Sequence, residues 1–255
     1  MLPKIQFKID FKTNFSAFII YLFEEFPGCT EDALSKINKL RIKKEIDKIK
    51  RKETLEDDEN FLKELSKNPF ALKKKISAEL FEQIYSSYKN YYTKNRLLFN
   101  NRAKRIVSKL NGKIIKQILK MIEDETKKLF KTKIIYVWLV DIYYLVKEKN
   151  IEGTTTKEGI YLGLPRRPIN LFYSTLIHEL VHYNLMNMYS ENEEEVIAQV
   201  LGLKISKRIL GKVPSQSIIT AKRRIKKITK KDFKIVIKIW DDKDNIDKFL
   251  KATFR

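Results

Sequence analysis

Asn170-Leu171-Phe172-Tyr173-Ser174-Thr175-Leu176-Ile177-His178-Glu179-Leu180-Val181-His182-Tyr183-Asn184-Leu185-Met186 reads as one helix carrying a chemical face. Asn170, just after Pro168, is suited to cap it, and neither Gly nor Pro interrupts the run. Residues four apart on a helix lie one above the other, so His178 and His182 present two imidazoles to one cation. Glu179 follows the first of them at the edge of that face, placed to take a proton from a metal-held water rather than to bind the metal. The chain has 2 histidines and both fall in this pattern, which argues against a chance arrangement. Catalytic zinc takes three protein ligands and keeps one position open, and two histidines with a glutamate form one such set. Zn2+ is therefore the expected cofactor, with a third ligand supplied from elsewhere.

That ligand is expected downstream. Ser190 and Glu193 have the spacing of a capping box, so a second helix begins there. A reversal at Asn187–Tyr189 would lay it back across the first. Its opening turn offers Glu193, Glu194 and Glu195. Ala198, Leu201 and Ile205 mark the inward face, which favours Glu195 and keeps Glu194 as the alternative. In this combination the chain resembles the gluzincin class of metallopeptidases, over roughly residues 132–211. In thermolysin-like, membrane CAAX-processing-like and ImmA/IrrE-like members, the ligand glutamate is followed three residues later by a small residue, then by an Asp or Asn that supports a ligand histidine. Glu195-Val196-Ile197-Ala198-Gln199 matches this pattern, with Gln199 standing where Asp or Asn is usual. The resemblance thus implies His178, His182 and Glu195 as metal ligands and Glu179 as the general base of peptide hydrolysis.

The resemblance also assigns a role to the strand before the helix. Gly159-Ile160-Tyr161-Leu162-Gly163-Leu164 alternates and stops at Pro165. In zincins such a strand edges the cleft and pairs with the substrate main chain. Tyr161, Leu162 and Gly163 are the implied substrate-binding residues, with Gly163 allowing close approach. An oxyanion donor would come from Tyr161, Tyr173, Tyr183 or Arg166.

Upstream, Lys4–Phe11 alternates like a half-buried strand, and Asn14 or Ser16 is placed to cap an apolar helix ending before Pro27. Glu31–Phe130 reads as nearly all helix, broken at Ser66-Lys67-Asn68-Pro69. Ile76, Leu80, Ile84, Tyr88 and Tyr91 form one packing stripe, and Ile106, Leu110, Ile114, Ile118 and Ile122 another. Ile134–Val146 suggests one or two central strands. After the core, a basic helix around Lys222-Arg223-Arg224-Ile225-Lys226-Lys227, a strand-like Phe233–Trp240 and a last helix are expected. The expected class is α+β, mostly helical, with a small mixed or antiparallel sheet packed on the motif helix. Its divisions are a helical region with an N-terminal strand (1–130), a zincin-like core (131–211) and a basic extension (212–255).

Lys and Arg number 53 against 32 Asp and Glu, a formal charge of +21 that would attract polyanions. Richness in Lys and Glu with only 7 glycines is equally the surface of thermophilic proteins. The acidic-after-basic run Arg41–Glu64 reads as a solvated helix pair or a mobile arm. Cys29 stands alone, so no internal disulfide forms, and no apolar stretch approaches the roughly 20 residues that span a bilayer. The expectation is a soluble, cytoplasmic peptidase with a peptide or protein substrate. By analogy with the ImmA/IrrE and SprT groups, DNA-associated proteins are possible partners. The rival reading is a basic helical nucleic-acid-binding or host-interaction protein whose metal site is structural or absent.

Overall fold

The computed structural model describes residues 2–23, 44, 61, 64, 65, 67–110, 112–141, 144, 145, 150, 151, 153–164, 169–243 and 245–254. Cys29, Arg166 and nearly all of the charged run Arg41–Glu64 lie outside them. The opening alternation forms β1 (Lys4–Lys8). It stops short of Phe11 because Asp10 starts a helix: Oδ1 accepts from the Thr13 backbone N–H at 2.8 Å and Oδ2 from its hydroxyl at 2.9 Å. α1 (Phe11–Phe23) therefore begins before Asn14 and Ser16, neither of which caps it. Asn14 is buried and bridges to the sheet, donating to the Leu139 carbonyl at 3.0 Å and accepting from the Asp141 N–H at 2.9 Å.

Asn68 caps the short 3₁₀ helix Pro69–Lys74, as the break there requires. α2 (Ala78–Lys109) buries Leu80, Phe81, Ile84, Tyr88 and Tyr92 against Phe11, Phe15 and Phe18 of α1, an aromatic core between the two helices. Tyr91 packs on this core against Tyr88 and Phe99 and donates its hydroxyl to the buried Asp141 Oδ2 at 2.5 Å. The second stripe is not one helix. It breaks at Leu110, where ψ swings to 74°, and α3 (Gly112–Thr126) restarts with Ile118 and Ile122 buried.

β2 (Ile134–Val140), β5 (Gly153–Thr156) and β6 (Gly159–Gly163) join β1 in one mixed sheet of order β1-β2-β6-β5. β3 (Tyr144–Leu145) and β4 (Asn150–Ile151) make a separate antiparallel ladder. β1 and β2 are parallel neighbours, so the helices α1 to α3 form an excursion between two adjacent strands of this sheet. β6 runs parallel to β2, and β5 antiparallel to β6. Ile135, Val137 and Leu139 of β2 and Ile160 and Leu162 of β6 are fully buried on the face toward α4 (Ile169–Leu185), with Phe7 of β1 against Phe172 of that helix.

α5 (Glu191–Leu210) returns along α4 after a reversal at Asn187, whose φ is 62°. The capping box is complete: Ser190 N–H donates to Glu193 Oε2 at 3.0 Å and Glu193 N–H to Ser190 Oγ at 3.4 Å. Gly202 permits the close approach of the two helices, since a Cβ there would stand 3.3 Å from His178 Cα. α6 (Ser215–Thr229), α7 (Phe233–Asp241) and α8 (Ile246–Phe254) complete the chain. Phe233–Trp240, expected as a strand, is helical. Its apolar residues satisfy both periods, and burial of Val236 and Trp240 one turn apart, with Phe249 edge-on to Trp240 at 4.8 Å, selects the helix. The fold is thus α+β and mostly helical. Among the described residues no helix is long and apolar enough to cross a membrane.

Candidate metal centre

α4 places His178 and His182 one turn apart, and the first turns of α5 bring Glu195 to the same point. The two Nε2 atoms are 3.2 Å apart, and Glu195 Oε2 stands 3.1 Å from His182 Nε2 and 3.7 Å from His178 Nε2. Bonds of about 2.0–2.1 Å in a tetrahedron imply donor–donor edges of about 3.3–3.4 Å. The observed separations bracket that value, so these three residues fit a tetrahedral ion such as Zn2+ with one position left over.

The residues behind the donors hold them in place. Gln199 Nε2 donates to Glu195 Oε1 at 2.8 Å and Arg224 Nη1 to the same oxygen at 2.5 Å. With Oε1 occupied, Oε2 is the oxygen offered to the histidines. His178 donates to the backbone carbonyl of Ala198, which orients its ring. Gln199, at the position where a histidine-supporting Asp or Asn was the family expectation, supports the carboxylate ligand instead.

Burial, then the neighbouring His182, depresses His178 to about 4, so it is neutral and its lone pair is available over the physiological range. Burial also opposes the charge on His182, but the hydrogen bond from Glu195 and the Glu179 charge outweigh it and raise its pKa. Burial disfavours ionised Glu195 as well. His182, His178 and Arg224 prevail there and hold the carboxyl far below its ordinary range. Glu179 is 5% exposed, and burial raises its pKa, the direction a general base requires.

Glu179 is positioned by β5. Thr155 Oγ1 lies 2.8 Å from Glu179 Oε2 and 3.0 Å from its backbone carbonyl. Gly153 leaves the space that Glu179 fills: a Cβ there would stand 2.7 Å from both Cγ and Oε1. Together these elements wall a cleft of about 540 Å³, with Gly153, Thr154 and Thr155 on one side and Glu194, Arg224 and Lys227 on the other.

Glu194 lines the cleft but stands outside the three-donor group, which takes Glu195. The strand Gly159–Gly163 is not an edge. Tyr161 and Leu162 are paired on both sides, with β2 and with β5, so they have no free backbone edge to offer an extended peptide, and Gly163 pairs with Val140 of β2. Leu162 is fully buried, and Tyr161 faces away from α4. On the side of the cleft the outer strand is β5, one strand earlier, which pairs among the described residues with β6 alone. Tyr161, Tyr173 and Tyr183 do not line the cleft either. Arg224 was the least foreseeable member. In sequence it is one of five cations in the run Lys222–Lys227, and the turn of α6 alone makes it part of the centre. Gly153 left a faint signal, as a lone glycine in a strand marks close approach.

Comparison with known proteins identifies no relative: no family model, no curated protein and no solved structure matches the chain.

Proposed function

We propose that this protein is a zinc-dependent peptidase of gluzincin type that holds an extended peptide against the free edge of β5. The observation that carries the reading is the convergence of His178, His182 and Glu195, whose donor atoms all lie within 4.8 Å of one another, beside the buried Glu179 in one cleft. When bound, zinc supplies Lewis acidity that makes water a competent nucleophile near neutral pH and polarises a carbonyl. The chain's own residues do the rest. Glu179 accepts the proton of the attacking water on its carboxylate and passes it to the leaving amine. Thr155 holds one carboxylate oxygen so that the other faces the cleft. The outer backbone edge of Gly153–Thr156, which pairs with no other strand among the described residues, binds the substrate main chain and fixes the scissile bond over Glu179. Arg224 and Lys227 are the cations in the cleft that can face a developing oxyanion. Among the described residues three donors converge, which supports a catalytic reading, since a structural zinc site closes with four.

The test is zinc per chain by elemental mass spectrometry, on untagged wild type, Glu195→Ala and Glu179→Gln. The expected result is about one zinc in wild type and in Glu179→Gln, with clear loss in Glu195→Ala. Glu179→Gln should abolish hydrolysis of a casein or peptide-library substrate. A wild-type chain that stays metal-free after zinc is supplied sinks the proposal and leaves the basic binding protein.

A further inference from the structure

The face of the sheet turned away from α4 carries a second constellation, unconnected with the metal. Strand register places Lys8 beside Trp138, Trp138 beside Tyr161 and Tyr161 beside Thr154, so a single row crosses all four strands. Gln6 and Tyr136 form the neighbouring row, and Lys4 and Ile134 the next. The planes of Trp138 and Tyr161 are nearly parallel, at 19° with centroids 6.4 Å apart, and Tyr136 continues the ladder 6.4 Å from Trp138, tilted by 37°. Lys8 Nζ sits 3.8 Å from the Tyr136 centroid and 5.0 Å from that of Trp138. All three rings are only partly buried, whereas Val137, Leu139, Ile160 and Leu162 on the opposite face are fully so. Trp138 Nε1 is itself buried and has no hydrogen-bond partner among the described residues, so the ring meets a ligand through its exposed part and not through this N–H.

We infer that this face is a stacking platform for single-stranded nucleic acid. Aromatic rings on central strands, flanked by cations, offer bases a π-surface and phosphates a counter-charge. The cations are in place: Lys4 is exposed on β1 and Lys8 lies over the rings. The carboxylates that act on Tyr161 are Glu158 in the β5–β6 turn and Asp10 two residues after Lys8, so the Lys4 end of β1 is the part of the platform remote from Asp10. The chain's charge of +21 supplies the long-range attraction. An apolar protein partner fits less well, because Ile134 is the one large aliphatic residue exposed on this face among the described residues. Duplex DNA fits poorly too. A flat sheet face presents no helix or ribbon to a groove, and paired bases keep their faces stacked inside.

The experiment is binding of a fluorescein-labelled 12-nucleotide oligo(dT) to the full chain, by anisotropy at several salt concentrations, with tryptophan emission as a second signal. Trp240 is the other of the 2 tryptophans and is buried against Phe249, so quenching reports Trp138. The expected results are quenched emission and tighter binding of the single strand than of a duplex of equal length. Tyr161→Ala or Trp138→Leu should weaken binding about 5- to 150-fold, and Trp138→Phe, which keeps a stacking ring, should weaken it less. Lys8→Gln should lower the salt slope by about one phosphate contact. Unchanged zinc content in each variant shows that the fold survives. Absent binding, equal affinity for duplex, or indifference to Trp138→Leu and Tyr161→Ala in folded protein would overturn the inference.

Discussion

Gly153→Ala isolates the contact that positions Glu179, the general base of the proposed reaction. The added methyl would stand 2.7 Å from Cγ and Oε1 of Glu179 and 2.9 Å from its Cδ, against an ordinary contact of 3.4–4 Å. Gly153 has no left-handed φ, so the whole effect is steric. Glu179 is buried and held by Thr155, and retreat by about 0.7 Å or more would strain both contacts. Overpacking of this kind costs about 1–3 kcal/mol, and about 2–4 °C of Tm per kcal/mol in a chain of this size. In a Glu179→Ala background the clash has no partner. There the substitution should be neutral or gain up to about 1 kcal/mol, because alanine loses less backbone entropy than glycine. The two backgrounds should therefore differ by about 1–4 kcal/mol, beyond the roughly 0.3–0.5 kcal/mol within which independent sites add. Urea unfolding of the four proteins at fixed zinc measures this without any substrate. Zinc content should be unchanged throughout, since the nearest atoms to the new methyl all belong to Glu179 and none to a metal ligand. An equal cost of Gly153→Ala in both backgrounds would refute the contact. Loss of zinc in Gly153→Ala alone would show that Gly153 supports the metal donors instead. Where a substrate is in hand, displacing the base this far should cost up to about 100-fold in kcat.

Three further outcomes follow from the same geometry. Arg224→Gln should weaken zinc binding by about 10- to 100-fold in a competition titration, while Arg223→Gln, whose neighbour makes the contact, should not; equal behaviour would remove Arg224 from the centre. Thr155→Val deletes a hydrogen bond that lowers the Glu179 pKa, so the acid limb of the pH–rate profile should move to higher pH; an unmoved limb would separate Thr155 from the base. Zinc must displace any proton on its ligands. The pKa of His182 is raised, burial being outweighed by Glu195 and Glu179, so affinity should fall as pH drops through that raised value with single-proton dependence. The second histidine should count only near pH 4, where His178 gains its charge against burial and His182; a two-proton slope at higher pH would contradict the assignment.

The parts of this protein that were legible in its sequence are those governed by neighbours a few residues apart. Helical spacing alone puts His178 over His182, and the Ser190–Glu193 box starts α5 so that Glu195 falls within its first turns. The turn at Asn187 then leaves the second helix little choice but to lie on the first. Other decisions needed distant partners. Asn14 looks like a cap, but the carbonyl and N–H at the end of β2 claim its amide, which leaves Asp10 to start α1. Phe233–Trp240 suits a strand or a helix equally, and only burial against α8 chooses. Which strand edges the cleft depends on pairing order: β6 has the right pattern, but β5 takes the outer place and carries Gly153 to Glu179. Arg224 sits in a basic run on α6, distinguished from its neighbours by one helical phase, and becomes a support of the metal ligand because α6 packs where Glu195 ends. Backbone sterics and capping act over one or two turns and are written in order along the chain. Sheet order and the meeting of separate helices arise from burial of whole faces, which no short stretch of residues encodes by itself.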